Sequence, residues 1–371
     1  MVPAVTCDVL VVGAGPAGSC AAASAASGGV STILIDAKIR IGEQPHCGEF
    51  VPSRLFAEFH LDKACIIQSV EFMETRVLQG LGGVDVVLKN EVPSPGFMID
   101  RVRFDRDLAR KASAEGAEVF CGTRLVALDR GRWIAQSSGG DKAFLPKLVI
   151  AADGALSAVA ALLGIAPFKV IKGIQVEAPL SEPLDRTIVF LDPAFAGGYG
   201  WVFPKGNVAN VGLGASRDQN TVEILERFLE GLRHAGVIRS GILARSGGVI
   251  PVSGMRQTLA EKSVAFCGDA AGLTHPITGS GIPQAVLSGS LAGRAAATAI
   301  RTGDLGLLKE YENEIRGRYG GVLNHALSKR IAMTEQKDYP DFVKSCENTW
   351  IAFKGYKKRI RDTRPQETGR G

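Results

Sequence analysis

The sequence is poor in the residues from which metal centres and disulfide scaffolds are built. Five histidines and three tryptophans are spread over 371 residues, and no His, Cys, Asp or Glu grouping has metal-ligand spacing, so no metal is expected. The seven cysteines, Cys7, Cys20, Cys47, Cys65, Cys121, Cys267 and Cys346, are odd in number, scattered and without a Cys-x-x-Cys pair, which argues against a disulfide framework. No internal repeat or low-complexity tract is present, and no feature points to nucleic acid. Residues 9–30 are nearly free of charge, yet their Gly, Pro and Ser content fits a buried strand and helix rather than a membrane span. No basic signal segment precedes the first strand, and a cytoplasmic location is expected. With 46% hydrophobic and 22% charged residues, the chain reads as globular, with core enough for about two domains.

What is present is concentrated at the N-terminus. Asp8-Val9-Leu10-Val11-Val12 runs as an apolar strand into Gly13-Ala14-Gly15-Pro16-Ala17-Gly18, and a helix-forming run follows over 19–27. In such a Gly-x-Gly-x-x-Gly turn Gly13 permits the tight bend, Gly15 lets backbone N–H groups approach a pyrophosphate, and Gly18 lets helix and strand pack closely. A second strand over 31–35 ends in Asp36, placed to accept hydrogen bonds from an adenosine ribose. Strand, glycines, helix, strand and acid in register predict a dinucleotide site.

Along the chain, 36–52 carries too much turn chemistry for a helix or strand. Alternation over 65–90 predicts strands, and 103–115 has helical spacing with Leu108 and Ala109 on one face. Short strands follow at 118–120, 125–128 and 133–135, and a longer one over 144–152 runs into Asp153-Gly154. Residues 169–214 read as a second, largely antiparallel sheet, a helix covers about 222–235, and the strand 263–267 meets Gly268-Asp269-Ala270-Ala271-Gly272. A long helix spans about 281–302. The fold class is α/β: a dinucleotide-binding, Rossmann-like domain (1–64, 97–165 and 255–302) interleaved with a mainly antiparallel β-sheet substrate domain (65–96 and 166–254). C-terminal helices and a basic tail occupy 303–371.

One complete Gly-x-Gly-x-x-Gly unit is present, whereas pyridine-nucleotide disulfide reductases show two. The second nucleotide-type feature is the strand leading to Gly268-Asp269, followed by Gly279-Ser280-Gly281 at a helix start. There Asp269 can hold ribityl hydroxyls, and the helix N-terminus can hold negative charge developing at the N1/C2 region of a reduced flavin. This pairing favours a flavin over a nicotinamide.

The glycine turn, Asp153-Gly154-x-x-Ser157 and Gly268-Asp269-Ala270-Ala271 resemble the three fingerprints of flavoproteins of the p-hydroxybenzoate hydroxylase fold. Within that group, Pro45-x-Cys47-Gly48 and Tyr199-Gly200-Trp201-Val202-Phe203-Pro204, with Gly212-Leu213-Gly214 beyond, resemble the geranylgeranyl reductases. Those enzymes use noncovalent FAD to saturate isolated double bonds of isoprenoid chains. The resemblance implies FAD contacts at Ala17, Asp36, Cys47, Gly48, Arg101, Val126, Asp269, Gly281 and Ile282. It departs at Ala160, where hydroxylase-type Asp-Gly motifs often have Arg, and at Glu49, where a small residue is common.

Tyr199, Trp201 and Phe203 alternate, so they share one face of a strand that Pro204 is expected to end. That face reads either as an aromatic wall over the flavin, lining a channel for an apolar chain, or as ordinary core. Cys47 reads either as a buried, inert thiol or as a group that positions substrate or relays a proton; His46 and His275 are given no catalytic role. From 352 to 371, seven cations face Asp362 and Glu367 and carry the whole net charge of +5. Trp350, Ile351, Phe353, Tyr356 and Ile360 interleave with them, a pattern suited to an anionic membrane surface or, alternatively, to a solvated chain end. The expected function is hydride transfer from reduced flavin to a C=C bond of an isoprenoid or prenyl lipid, with electrons from NADPH or ferredoxin. The competing readings are a flavin monooxygenase or halogenase of the same fold, and a flavin-binding module without its own substrate.

Overall fold

The structure, a computed structural model, describes residues 4–43, 47–81, 85–195, 197–335 and 341–358. The chain opens with β1 (Ala4–Val12), α1 (Pro16–Ser27) and β2 (Thr32–Ile35). Then come β3 (Phe50–Pro52), α2 (Arg54–Phe59), the long antiparallel pair β4 (Ile66–Leu78) and β5 (Val86–Ile99), and α3 (Arg101–Ala114). β6 (Glu118–Phe120), β7 (Thr123–Asp129), β8 (Arg132–Ser137), β9 (Gly140–Ala151) and α4 (Ala158–Leu162) return the chain to β1. β10 (Val170–Pro179), β11 (Arg186–Leu191), β12 (Gly200–Lys205), β13 (Val208–Ala215), α5 (Thr221–His234) and β14 (Ala244–Pro251) build a second layer. β15 (Ala260–Glu261), β16 (Val264–Phe266), α6 (Ile282–Thr302), α7 (Leu307–Glu335) and α8 (Asp341–Thr349) complete the order.

The first sheet runs β15-β16-β9-β1-β2-β6, with β7 and β8 joined to it through β9. From β16 to β6 every neighbour is parallel. Both faces are covered, so its central strands are continuous apolar runs such as Val9-Leu10-Val11-Val12, all buried. Val12 pairs with Ile35 on one side and Ala151 on the other, and Ala151 pairs with Phe266. The C-terminal ends of four strands are thereby level, and the strand order reverses between β1, which is followed by β2 on one side, and β9, whose other neighbour is β16, which makes the crevice that dinucleotides occupy in such sheets.

The second sheet runs β14-β10-β13-β12-β11-β4-β5-β3. It is antiparallel except that β11 pairs with β4 in parallel, from Arg186↔Phe72 to Leu191↔Val77. The sheet is thus mainly antiparallel, as expected; β4 enters from an earlier segment of chain and needs no tight turn to reach β11. β3 lies in the first segment of the chain yet pairs with β5, Phe50↔Met98 to Pro52↔Gly96. One face packs on α5, where Leu225, Phe228, Leu229 and Leu232 meet Phe190, Val202 and Val211. Pro204 does not end β12. The strand continues to Lys205, because β11 pairs only with 200–202, leaving the missing Pro204 N–H without a ladder position to fill.

The C-terminal aromatics are corrected more strongly. Trp350 is 1% exposed and its Nε1 donates to Thr75 Oγ1 at 3.0 Å. α8 and Trp350 cover Val77, Val189 and Leu191, an apolar patch the second sheet would otherwise leave bare. Lys354, Lys357 and Lys358 are exposed. Ile360, Arg359, Arg361, Asp362, Arg364, Glu367 and Arg370, like Pro45 and His46, lie outside the described residues.

The helices α1 and α6 cross at backbone contact, made possible by their Ala, Gly and Ser content. A Cβ on Gly289 would stand 2.0 Å from the Ala17 carbonyl oxygen, and one on Gly293 2.2 Å from that of Ala21. Gly289→Ala is therefore expected to destabilise the protein by about 1–3 kcal/mol through overpacking, outweighing the roughly 1 kcal/mol that Ala gains over Gly in a helix. Thermal unfolding of the purified variant, with and without added FAD, checks this.

Candidate active site

The four level strand ends each present a polar group. Gly13 follows β1 with φ 99°, Asp36 follows β2, Asp153 lies beyond β9, and Asp269 beyond β16. Asp36 ties the turn together: Oδ2 accepts the Ala14 N–H at 2.6 Å and Oδ1 the Lys38 N–H at 2.7 Å. Asp153 Oδ2 accepts the Val159 N–H at 3.0 Å, while Oδ1 is buried without a partner. Burial pushes this carboxyl up, against hydrogen bonds from Ser157 and Val159. Burial also pushes the Asp269 carboxyl up, opposed by the Thr274 hydroxyl, which donates to it, and by the Arg101 charge.

Two helix N-termini point into the same region without protein caps. α1 starts at Gly15 and α6 at Gly281, each with a proline in its first two positions, no side-chain cap and no acidic residue in the first turn. α3, α4 and α5, in contrast, are capped by Asp100, Ser157 and Asn220. Nothing stands within 4 Å of where a Gly15 Cβ would be. Uncapped amides facing open space suit an anion. The glycine turn, the two uncapped N-termini and the orphaned Asp153 oxygen thus fit FAD; Gly13, Gly15, Ala17, Gly18 and Asp36 would hold its nucleotide end, and Asp269, Gly279, Gly281 and Ile282 its ring end. Val126 is the bulged residue of β7, between Leu125 and Ala127, and is 38% exposed; the first residue of that strand, Thr123, donates its N–H to the Asp36 carbonyl at 2.7 Å.

Beside the ring end a cavity of about 730 Å³ lies between the two sheets, a size typical of small-molecule sites. Cys47, Gly48, Asp269, Gly279, Gly281 and Ile282 line it together with Tyr199, Trp201 and Phe203. The aromatic rings form a continuous series, Tyr199–Trp201 edge-on at 5.7 Å and Trp201–Phe203 tilted at 6.3 Å between centroids, extended by Trp350 edge-on at 5.0 Å from Tyr199. They lie over glycines of neighbouring strands. Trp201 pairs with Gly212, which pairs with Gln175, and a Cβ on Gly212 would strike the Trp201 ring at 2.6 Å. The Tyr199 hydroxyl donates to the Thr278 carbonyl.

Cys47 is half-buried. Its sulfur accepts the Glu49 N–H at 3.2 Å and lies within electrostatic reach of the Arg101 guanidinium. Arg101 grips Asp105 through Nε and Nη2, both at 2.9 Å; burial opposes its charge, but Asp105 and Cys47 hold the guanidinium fully protonated. Sequence reasoning missed the residues that hold this loop. Gln175 Nε2 donates to the Cys47 carbonyl at 2.9 Å and Asn210 Nδ2 to the Gly48 carbonyl at 3.3 Å. The available signal was their period-two placement on the cavity face of β10 and β13. His275, given no role from sequence, also lines the cavity; its Nδ1 accepts the Thr278 N–H at 3.3 Å, so the proton sits on Nε2, facing the Tyr356 hydroxyl at 3.3 Å.

Burial, with His325 adding repulsion, lowers the His275 pKa from 6.5 to about 4. The unfolded chain then binds more protons than the folded one between these values, so this residue's contribution is constant above pH 6.5 and stability falls as pH drops toward 4. The loss should approach about 3 kcal/mol, and His275→Gln should flatten the decline in denaturant midpoint across that window.

Residues 6–326 match the family described as FAD binding domain. The chain is similar to the digeranylgeranylglycerophospholipid reductase of Methanocaldococcus jannaschii, 33% identical with 89% of this chain and 88% of that protein covered. The protein of the same name from Methanocella arvoryzae is 34% identical, with the same shares covered. Among solved structures, a geranylgeranyl bacteriochlorophyll reductase-like protein from Thermoplasma acidophilum superposes with a TM-score of 0.80 at 27% identity, covering 94% of this chain and 97% of that one. The p-nitrophenol 4-monooxygenase of Pseudomonas putida shares the fold, with a TM-score of 0.73 at 16% identity over 92% of each chain.

Proposed function

The chain belongs to the FAD binding domain family and, within it, to the geranylgeranyl reductases, and from that membership and the cavity beside the flavin end we propose that it saturates C=C bonds of a prenylated lipid. The carrying observation is the cavity itself, which sets the Cys47 thiol and the Asp269–Gly281 end against a wall of three aromatic rings. FAD, when reduced, supplies the hydride.

The chain's own residues supply the rest. Isolated alkenes are electron-rich and resist hydride unless a proton arrives on the neighbouring carbon. Cys47, half-buried at the cavity edge, is placed to deliver that proton and to recover it from solvent. The faces of Trp201, Tyr199 and Phe203 exclude water and favour the positive charge that develops on the carbon skeleton. The α6 N-terminus, left without a cap, favours negative charge at the flavin's ring end.

An external donor, NADPH or a reduced ferredoxin, restores the flavin; the single complete glycine turn leaves no second nucleotide fold for it. Contact with an anionic bilayer runs through Lys354, Lys357 and Lys358, exposed just beyond Trp350 and Ile351, which line the cavity. This keeps the lipid-facing charge of the tail while assigning Trp350 to the core.

Reduced enzyme incubated anaerobically with a geranylgeranyl lipid should yield products heavier by two hydrogens for each double bond saturated. Cys47→Ala should keep its FAD and lose about 10²–10⁴ in kcat, the usual worth of a proton-transfer group. Oxygenated product formed in air would contradict the reading, and full activity in Cys47→Ala would make the thiol a packing residue.

A further inference from the structure

Glu49 follows the Cys47-Gly48 pair, and it is 5% exposed with a left-handed backbone, φ 68°. All its polar groups are engaged. Its N–H donates to Cys47 Sγ at 3.2 Å, and its carbonyl accepts the Ile99 N–H at 3.0 Å. Oε1 accepts the N–H of Arg101, the first residue of α3, at 3.1 Å. Oε2 accepts Asn210 Nδ2 at 2.7 Å and pairs with Lys205 Nζ at 2.7 Å; Lys205 in turn reaches Glu177 at 3.2 Å.

These contacts join three bodies: the thiol loop, the start of the helix that carries Arg101, and the second sheet. Lys205 and Asn210 stand on the same face of β12 and β13 as the aromatic wall, with Phe203 paired to Asn210. A Cβ on Gly48 would strike the Phe203 ring at 2.8 Å, so loop and wall are already in contact. A brace for folding alone gains nothing from a non-glycine residue in the left-handed region, which is costly and persists only where the surroundings over-determine it. The carboxylate is what requires a side chain here, and the amide that reaches the sulfur is what requires the backbone turn.

We infer that Glu49 is a positioning residue for the reduction, holding the Cys47 sulfur and Arg101 in fixed register against the Trp201–Phe203 wall. This rests on the reductase reading above. Glu49→Gly removes the carboxylate and suits the backbone; Glu49→Gln keeps an acceptor for the Arg101 N–H but loses the charge that pairs with Lys205.

The test uses holoenzyme carrying Cys121→Ser, since Cys121 is exposed and the cysteines other than Cys47 are buried. Alkylation of Cys47 by iodoacetamide is timed by intact mass, alongside FAD content and steady-state kinetics. With FAD content unchanged, Glu49→Gly should open the loop and speed alkylation about threefold or more, and should lower kcat about tenfold while KM moves less than about threefold; Glu49→Gln should fall between it and the parent. Unchanged alkylation and kcat, or activity lost only in proportion to flavoprotein lost, overturns the inference. Should Glu49→Gly not fold, Glu49→Gln and Asn210→Ala carry the same comparison. Faster alkylation in the variants, with no reduction of prenyl lipid by any form including the parent, upholds the positioning role and overturns the reductase reading instead.

Discussion

The level ends of four parallel strands are the constraint on which the rest of the molecule depends. Val12, Ile35, Ala151 and Phe266 are in register, so the groups just beyond them, Gly13, Asp36, Asp153 and Asp269, come to one crevice although they are far apart in sequence. A one-residue slip of β9 or β16 would move Asp153 or Asp269 by a strand step and turn its side chain to the other face. Register is secured by burial on both faces, and by α1 and α6, whose backbones touch at Gly289 and Gly293.

The second sheet works on a different rule. Its alternation sends Val202, Val211 and Leu213 to α5 and leaves Gln175, Trp201 and Phe203 lining the cavity, with Asn210 on the same face beside Phe203. Glycines opposite Trp201 give the ring room to lie flat, and polar side chains in the adjoining row take hold of consecutive backbone groups of the thiol loop. Wall and loop are therefore bonded to one another. An apolar chain entering the cavity meets a surface whose shape is set by backbone pairing rather than by loose side chains.

Much of this was legible in the sequence because the physics is local. The Gly-x-Gly-x-x-Gly turn, the acid at 36 and the aromatic alternation at 199–203 are short-range patterns, and the helices expected at 103–115, about 222–235 and about 281–302 lie within two residues of those observed. What was not legible depends on pairings across the chain. The parallel partner of β11 comes from a segment more than a hundred residues earlier. Trp350 reads as an amphipathic tail residue until Thr75 and the bare patch on the second sheet are seen to receive it. The roles of Gln175, Lys205 and Asn210 appear only once β10, β12 and β13 are set side by side.

The account stands on electrons passing from the flavin to a double bond held in the cavity between the sheets. Reoxidation of the dithionite-reduced enzyme, followed by flavin absorbance under strict exclusion of oxygen, tests this most directly. Addition of a geranylgeranyl lipid should restore the oxidised flavin spectrum, and a fully saturated lipid of the same length should not. A flavin that stays reduced with the unsaturated lipid and is reoxidised only when oxygen is admitted would contradict the account.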